Sequence, residues 1–225
     1  MGLLELSPLS VVIGVIAMTA IAFIRFHFPF RYHYFCYLVK QRPKLVNKLL
    51  LRSYKKNKTA VGLLDKATCE MMDGAYDDAE KYLLEGIQQV LKSHGMQNRV
   101  IRNFFFNHLS WLLYYKGSHR ESLEIALRLY EKAPSTPHIL ALISCNFARI
   151  GEVGQAIEAF SQLSRMEKES SPTLLTCRAE IEAAKGNPKK AVKLFHQAKN
   201  KKSYASICFI MYEIEQRIGQ LTKTA

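Results

Sequence analysis

The chain has 225 residues, of which 48% are hydrophobic and 23% are charged. This balance excludes a wholly disordered chain, and the length allows one domain of ordinary size with a short extension. A formal net charge of +13 would by itself suggest nucleic acid or an anionic membrane as a partner.

The positive charge is concentrated in one stretch. Residues 25–58 contain ten Lys or Arg and no acidic residue, whereas residues 59–225 contain 22 basic and 18 acidic residues, a net charge of 22 − 18 = +4. The larger part of the chain is therefore only weakly basic.

The first residues predict a membrane anchor. Residues 6–24 are 19 uncharged and mostly apolar positions, about the length that crosses a bilayer as one helix. A cleaved signal peptide is the alternative, but the leading residues contain Glu5 and no Lys or Arg. We therefore predict a transmembrane helix over 6–28 that follows a short non-cytoplasmic N-terminus over 1–5.

Charge and cysteine content predict the orientation of this anchor. The ten basic residues after the apolar run favour the cytoplasmic side. Five dispersed cysteines without a Cys-x-x-Cys pair favour free thiols in a reducing compartment and no metal site. The expected location is a single-pass membrane protein whose remaining chain lies on the cytoplasmic side.

Residues 29–58 form a basic, aromatic-rich juxtamembrane segment. Aromatic rings and long basic side chains concentrate at the boundary between lipid and water. The candidate membrane-interface residues are Arg25, Phe28, Arg31, Tyr32, Tyr34, Lys44, Lys48 and Arg52. From Pro43 the pattern predicts an amphipathic helix, which either lies on anionic lipid or caps the region that follows.

A repeat of about 34 residues organises the rest of the chain. Glycines recur at Gly74, Gly117, Gly151, Gly186 and Gly219, separated by 43, 34, 35 and 33 residues. Small residues follow the first four glycines by five positions, at Ala79, Ser122, Ala156 and Ala191. Glycine ends a helix in the left-handed conformation, and a small residue lets the next helix approach closely. Such a period predicts stacked helix pairs.

The predicted helices are 61–73, 76–93, 99–116, 120–132, 137–150, 153–167, 173–185, 188–198 and 203–218. The last of them is expected to cap the stack, with polar residues such as Glu213 and Arg217 on its outer face.

These glycines and small residues resemble the pattern of the tetratricopeptide repeat (TPR) family. Two aromatic residues, Phe160 and Phe195, follow their glycines by nine positions, and Pro134 follows a second helix, as in that family. The resemblance covers roughly residues 60–219. It implies an all-α fold, in which residues 59–225 form an α-solenoid of about four helix pairs plus a C-terminal capping helix. An ordinary helical bundle is the alternative.

The resemblance also implies a concave groove lined by the first helix of each pair, where the family binds protein or peptide partners. By register with the family, the groove residues are Asn107, Trp111, Tyr114, Tyr115, His138, Arg149 and Glu180. Trp, Tyr and Arg are the residues that most often dominate binding energy.

Motifs for phosphate binding, metalloprotease chemistry or an activated serine are absent from the sequence. We therefore expect a non-enzymatic adaptor without a cofactor, which binds a protein or peptide partner at the cytoplasmic face of a membrane. The alternatives are a helical repeat protein that binds single-stranded RNA, and a self-associating protein that binds anionic lipid.

Overall fold

The computed structural model describes residues 8–27, 31–39, 42–57, 59–92, 96–134, 136–168, 171–201 and 207–223. The first three helices are α1 (Pro8–His27), α2 (Arg31–Leu38) and α3 (Pro43–Lys56). Four helix pairs follow: α4 (Ala60–Met72) with α5 (Tyr76–Lys92), α6 (Met96–Tyr115) with α7 (His119–Lys132), α8 (Pro137–Arg149) with α9 (Val153–Ser164), and α10 (Pro172–Ala184) with α11 (Pro188–Lys201). The last described helix is α12 (Met211–Lys223).

The predicted membrane location is wrong. Within the described ranges, no helix is both long enough and apolar enough to cross a bilayer.

Helix α3 caps the first helix pair, which is one of the two roles that the sequence left open for it. Pro43 occupies the first turn, where the absence of a backbone N–H does no harm. Val46 and Leu50 are buried in one cluster with Cys69 of α4. The apolar face of this amphipathic helix is therefore covered by protein, and its basic residues Lys44, Lys48 and Arg52 are exposed.

The four predicted glycine turns close the first helix of each pair. Gly74, Gly117, Gly151 and Gly186 have φ of +78°, +84°, +88° and +79°, in the left-handed region that favours glycine. Each turn makes the same two backbone hydrogen bonds, such as Gly151 N to Ala148 O at 3.2 Å and Glu152 N to Phe147 O at 2.9 Å. This pattern is the Schellman motif of helix C-termini.

Small residues hold the two helices of each pair close together. The eight small residues at these positions are all fully buried. They are Ala67, Ser110, Ser144 and Ala179 in the first helices, and Ala79, Ser122, Ala156 and Ala191 in the second helices. Ser110 Oγ donates to Ser122 O and Ser122 Oγ donates to Ser110 O, both at 2.7 Å. Ser144 Oγ donates to Ala156 O at 2.9 Å. These bonds satisfy buried hydroxyls where the backbones approach closely.

Two features of the array depart from a uniform repeat. The first glycine spacing is 43 because α5 and α6 have 17 and 20 residues, whereas helices α7 to α11 have 12 to 14. Gly219 was expected to end the last helix, but it lies inside α12, which continues to Lys223. Unlike the other four glycines, it is not among the residues with positive φ.

Candidate functional site

The first helices of the four pairs lie side by side. Helix α4 contacts α6, α6 contacts α8, and α8 contacts α10. Their shared face, which we call the groove, brings together five of the seven predicted residues: Trp111, Tyr114 and Tyr115 from α6, Arg149 from α8 and Glu180 from α10. Asn107 lies on α6 one turn before Trp111, whereas His138 lies in the first turn of α8, 11 residues and about 16 Å along the helix from Arg149.

The groove is filled by a segment of the same chain, residues 207–223. Phe209 lies with 5% of its surface exposed and packs edge to face on Trp111, with ring centroids 5.0 Å apart. Tyr115 Oη donates to the carbonyl oxygen of Ile207, and Ile210 N donates to Tyr115 Oη at 3.4 Å. Tyr76 of α5 donates through its hydroxyl to Glu213.

A buried charge network lies at the other end of this contact. Glu180 is 2% exposed, and its Oε1 lies 3.0 Å from Arg149 Nη2. Its Oε2 accepts from Arg217 Nε at 3.2 Å and from Arg217 Nη2 at 3.1 Å. Tyr114 Oη donates to Glu180 Oε1 at 3.2 Å. One carboxylate thus holds guanidinium groups from α8 and α12, and the two donors of Arg217 on the single oxygen Oε2 fix the position of that side chain.

Burial dominates the protonation of the surrounding groups. Burial, followed by the nearby charge of Glu180, raises the pKa of Tyr114 well above its ordinary value, so this phenol is a hydrogen-bond donor at neutral pH. Burial and then the charge of Arg149 lower the pKa of His119, whose ring lies 5.3 Å from that of Tyr114. Burial raises the pKa of Glu213.

Little free space remains between the groove and residues 207–223. The cavity enclosed by residues such as Tyr114, Arg149, Glu180, Phe209 and Arg217 has a volume of about 10 Å³, which leaves room for one water molecule at most. The groove in this conformation is therefore closed to any other ligand of peptide size.

Four residues of this site, Tyr76, Phe209, Glu213 and Arg217, were missed by the groove prediction. Tyr76 lies on a second helix. The capping helix was expected over 203–218, but α12 begins at Met211, so Phe209 lies before it. Glu213 and Arg217 were assigned to the polar outer face, yet both are partly buried against the groove, whereas Glu215 and Gln216 are exposed. The available signal was the spacing of four between residues 213 and 217, which places both on one side of a helix.

Five of the eight candidate membrane-interface residues have described side chains, namely Arg31, Tyr32, Lys44, Lys48 and Arg52. The guanidinium of Arg31 lies 4.8 Å from the ring centroid of Tyr32, and Lys44, Lys48 and Arg52 are exposed on α3. Phe28 lies outside the described residues, as do the side chains of Arg25 and Tyr34. Their role at a lipid surface stays a prediction.

The five cysteines all lie in the described ranges, and no disulfide joins any two of them there. Cys69, Cys145 and Cys177 are buried, and Cys36 and Cys208 are partly buried. Burial, with a smaller contribution from Asp65, raises the pKa of Cys36 to about 11 and that of Cys69 to about 12. Within the part of the chain that the structure covers, no three His, Cys, Asp or Glu side chains cluster as metal ligands would.

Neither a protein-family model nor a curated protein sequence matches this chain. Among solved structures, TTC0263, a thermophilic TPR protein in Thermus thermophilus, is 14% identical with a TM-score of 0.51, over 88% of this chain and 99% of that chain. A tetratricopeptide repeat protein from Parabacteroides merdae ATCC 43184 is 10% identical with a TM-score of 0.46, over 80% and 78% of the two chains.

The helix pairs, glycine turns and buried small residues define an α-solenoid of stacked helix–turn–helix units. The likeness to TTC0263, which covers nearly all of that chain, makes the fold TPR-like. The predicted all-α, TPR-like solenoid is therefore confirmed, whereas the transmembrane helix is not supported within the described residues.

Proposed function

We propose that this protein is a non-catalytic scaffold that binds a segment of another protein in the groove. The observation that carries the proposal is the convergence of Trp111, Tyr115 and Glu180 on one peptide segment. Tyr114 and Arg149 hold Glu180 in place. Tyr, Trp and Arg are enriched where binding energy concentrates. The groove already holds residues 207–223, so a protein segment is the class of ligand that its shape fits.

The charge of the groove supports a protein rather than a nucleic acid as the partner. Within the groove itself, the positive charge of Arg149 is paired with the carboxylate of Glu180 at 3.0 Å. The two charges balance. A face that binds nucleic acid instead gathers unpaired Lys and Arg against the phosphates. The buried carboxylate of Glu180 would repel a phosphate.

A photo-crosslinking amino acid at Tyr76 tests this function in the full chain. Tyr76 is partly buried at the rim of the groove, so p-benzoylphenylalanine there reacts with whatever occupies the site. We expect irradiation in cells to link the protein to one partner, and peptide mapping to place the link in one segment of that partner. In unbound molecules the link should fall within residues 207–223.

The matched control places the same amino acid at Tyr130. This tyrosine lies on the second helix α7, away from the groove, with its Oη 3.0 Å from Gln162 Oε1 of α9. Equal capture of the partner from both positions would contradict a groove-bound partner. Recovery of RNA from position 76 would favour the nucleic-acid alternative and overturn the proposal.

A further inference from the structure

The structure also indicates which chemistry a partner segment needs, because one segment is already bound. We infer that the groove recognises a helical segment with the pattern aromatic-x-x-x-Glu-x-x-x-Arg, and that residues 207–223 occupy the site as an internal competitor. This inference rests on the proposed function and specifies its ligand.

The first determinant is an aromatic side chain before the helix. Phe209 inserts against Trp111 with an interplanar angle of 84°, a favoured edge-to-face geometry for aromatic pairs. Trp111 is fully buried and is itself packed between Tyr114 and Tyr115. The pocket is therefore rigid and aromatic on several sides.

The second determinant is the backbone next to this aromatic residue. The hydroxyl of Tyr115 donates to the carbonyl of Ile207 and accepts from the N–H of Ile210. Both contacts involve main-chain atoms, so they suit any residue type at those two positions. A single phenol thus fixes the turn that leads into the bound helix.

The third and fourth determinants are an acid and a base one helical turn apart. Glu213 accepts a hydrogen bond from Tyr76, and Arg217 donates from Nε and Nη2 to Glu180 Oε2. Residues four apart on a helix share one face, so both side chains point into the groove. Recognition of a helix by such regularly spaced anchors is a recurring mode of peptide binding.

Removal of residues 207–223 would take one charged partner away from a buried carboxylate of the groove. Glu180, which is 2% exposed, would keep Arg149 and lose Arg217. A buried carboxylate with part of its partners removed is unfavourable. An incoming segment with arginine restores both donors to Glu180 Oε2 from one planar guanidinium, whereas lysine supplies the charge without that fixed pair of donors. The site therefore selects arginine at this position.

The internal segment is held with a local strain. Phe209 has φ of +52° and is the only non-glycine residue with positive φ in the described ranges. This conformation is unfavourable for a bulky side chain. Strained backbone of this kind persists only where surrounding contacts enforce it, and it is found at ligand clamps and switch regions. A partner that presents the aromatic side chain without this strain would displace the segment.

The test uses a fluorescein-labelled peptide with the sequence of residues 207–223 and the full-length chain. By fluorescence anisotropy, we expect weak binding to the wild-type chain, because its own segment competes. The double variant Phe209→Ala/Arg217→Ala should bind the peptide at least tenfold more tightly. A peptide in which the arginine at 217 is alanine should lose at least tenfold in affinity for the same variant.

Glu215→Ala is the matched control in the chain. Glu215 lies on α12 between the two anchors, is half exposed, and pairs with Lys199 of α11 at 2.7 Å rather than with the groove. This variant should bind the peptide as the wild-type chain does. Equal affinity of the double variant and the wild-type chain, with unchanged helicity by circular dichroism, would overturn the inference.

A second measurement avoids the case in which the double variant does not fold. In the wild-type chain, an excess of the peptide should speed hydrogen exchange in α12 while α8 and α10 stay protected. No change in α12 at saturating peptide would contradict displacement. A peptide-dependent dimer by light scattering would instead indicate exchange of this segment between two copies, and it would overturn the partner assignment.

The two proposals fail in distinguishable ways. If crosslinking at position 76 captures a partner in the groove but the peptide does not bind the double variant, the scaffold function stands and the sequence pattern is wrong. If the peptide binds but crosslinking captures no partner, the pattern describes only the internal segment, and both the partner-binding function and the partner assignment are wrong.

Discussion

At the residue scale, Glu180 is the group on which most of the groove depends. It is nearly inaccessible to solvent, yet it accepts contacts from Tyr114, Arg149 and Arg217, which lie on three different helices. A buried charge with several partners gives little net stability compared with an apolar core, but the removal of one member is costly. The network therefore specifies the position of α12 more than it stabilises the fold.

Replacement of Glu180 by glutamine should destabilise the protein strongly. The substitution leaves Arg149 and Arg217 without a counter-charge, and such losses cost about 3–5 kcal/mol. Urea denaturation followed by circular dichroism measures the effect. The control is Glu124→Gln on α7, where both Glu124 and its partner Arg128 are exposed. It should lose roughly 1 kcal/mol or less, and equal losses would contradict the role given to Glu180.

His119 should make the stability depend on pH. Its pKa is lowered in the folded protein by burial and then by Arg149, with Glu180 acting in the opposite direction. Burial also lowers the pKa of His138. The unfolded chain therefore binds more protons than the folded chain as the pH falls. The contribution of the two neutral histidines to stability is fully present above about pH 6.5, the ordinary pKa of histidine, and is lost as the pH falls through their pKa in the folded protein.

We expect the melting temperature of the wild-type protein to fall between about pH 7 and pH 5, across the titration of histidine. The variant His119→Gln/His138→Gln should fall less over the same range. His196→Gln, at an exposed position of α11, serves as the control. Each comparison is made at equal pH, so contributions from carboxyl groups such as Glu213 cancel. Identical slopes for the double variant and the wild-type protein would exclude this linkage.

At the scale of helices and turns, glycine has two different roles within one repeat. Gly151 closes α8 with φ of +88°, whereas Gly154 lies in the first turn of α9, and a Cβ at either position would meet no atom within 4 Å. The two positions therefore differ in backbone conformation rather than in available space.

Gly151→Ala should destabilise the protein by about 1–2 kcal/mol, because an L-residue disfavours the left-handed region. Gly154→Ala should stabilise it by roughly 0.5–1 kcal/mol, because alanine loses less backbone freedom in a helix. Thermal denaturation of the two variants under one condition measures both signs. A loss of stability in both would mean that space, not conformation, limits the two sites.

The same turns show how much of the fold could be predicted from the sequence. The glycine period and the small residues are local signals, and they place eight helices of the array to within a few residues. The closed groove could not be predicted in this way. It depends on contacts such as Tyr114 with Glu180, 66 residues apart, and Tyr76 with Glu213, 137 residues apart.

The polar side chains of α12 also obscured its role. A hydrophobicity pattern does not distinguish the four polar residues of α12, which are Glu213, Glu215, Gln216 and Arg217. The positions of Tyr76 and Glu180 decide which of these side chains face the groove. The predicted membrane location was also wrong, because no helix in the described ranges is both long enough and apolar enough to cross a bilayer.

At the scale of the whole molecule, α3 protects the open end of the array. A solenoid needs a terminal unit that covers its exposed apolar face, and Leu50, which is 4% exposed, contributes to this cover. Leu50→Ala should lower the free energy of unfolding by about 2–3 kcal/mol. Lys48→Ala, at an exposed position on the same helix, should change it by less than about 0.5 kcal/mol. Denaturant titration distinguishes them, and equal effects would contradict a capping role for α3.

Helix α12 also alters the mechanics of the array. Glu213 and Arg217 are one turn apart, yet they contact Tyr76 in the first helix pair and Glu180 in the last. An open solenoid behaves as a spring in which each repeat contacts only its neighbours, and its ends can fray independently. Here α12 links the first and the last helix pair, so its contacts must break before force or heat can loosen either end of the array. Release of α12 would leave an open solenoid that stretches more easily, and local unfolding at one end would no longer affect the other.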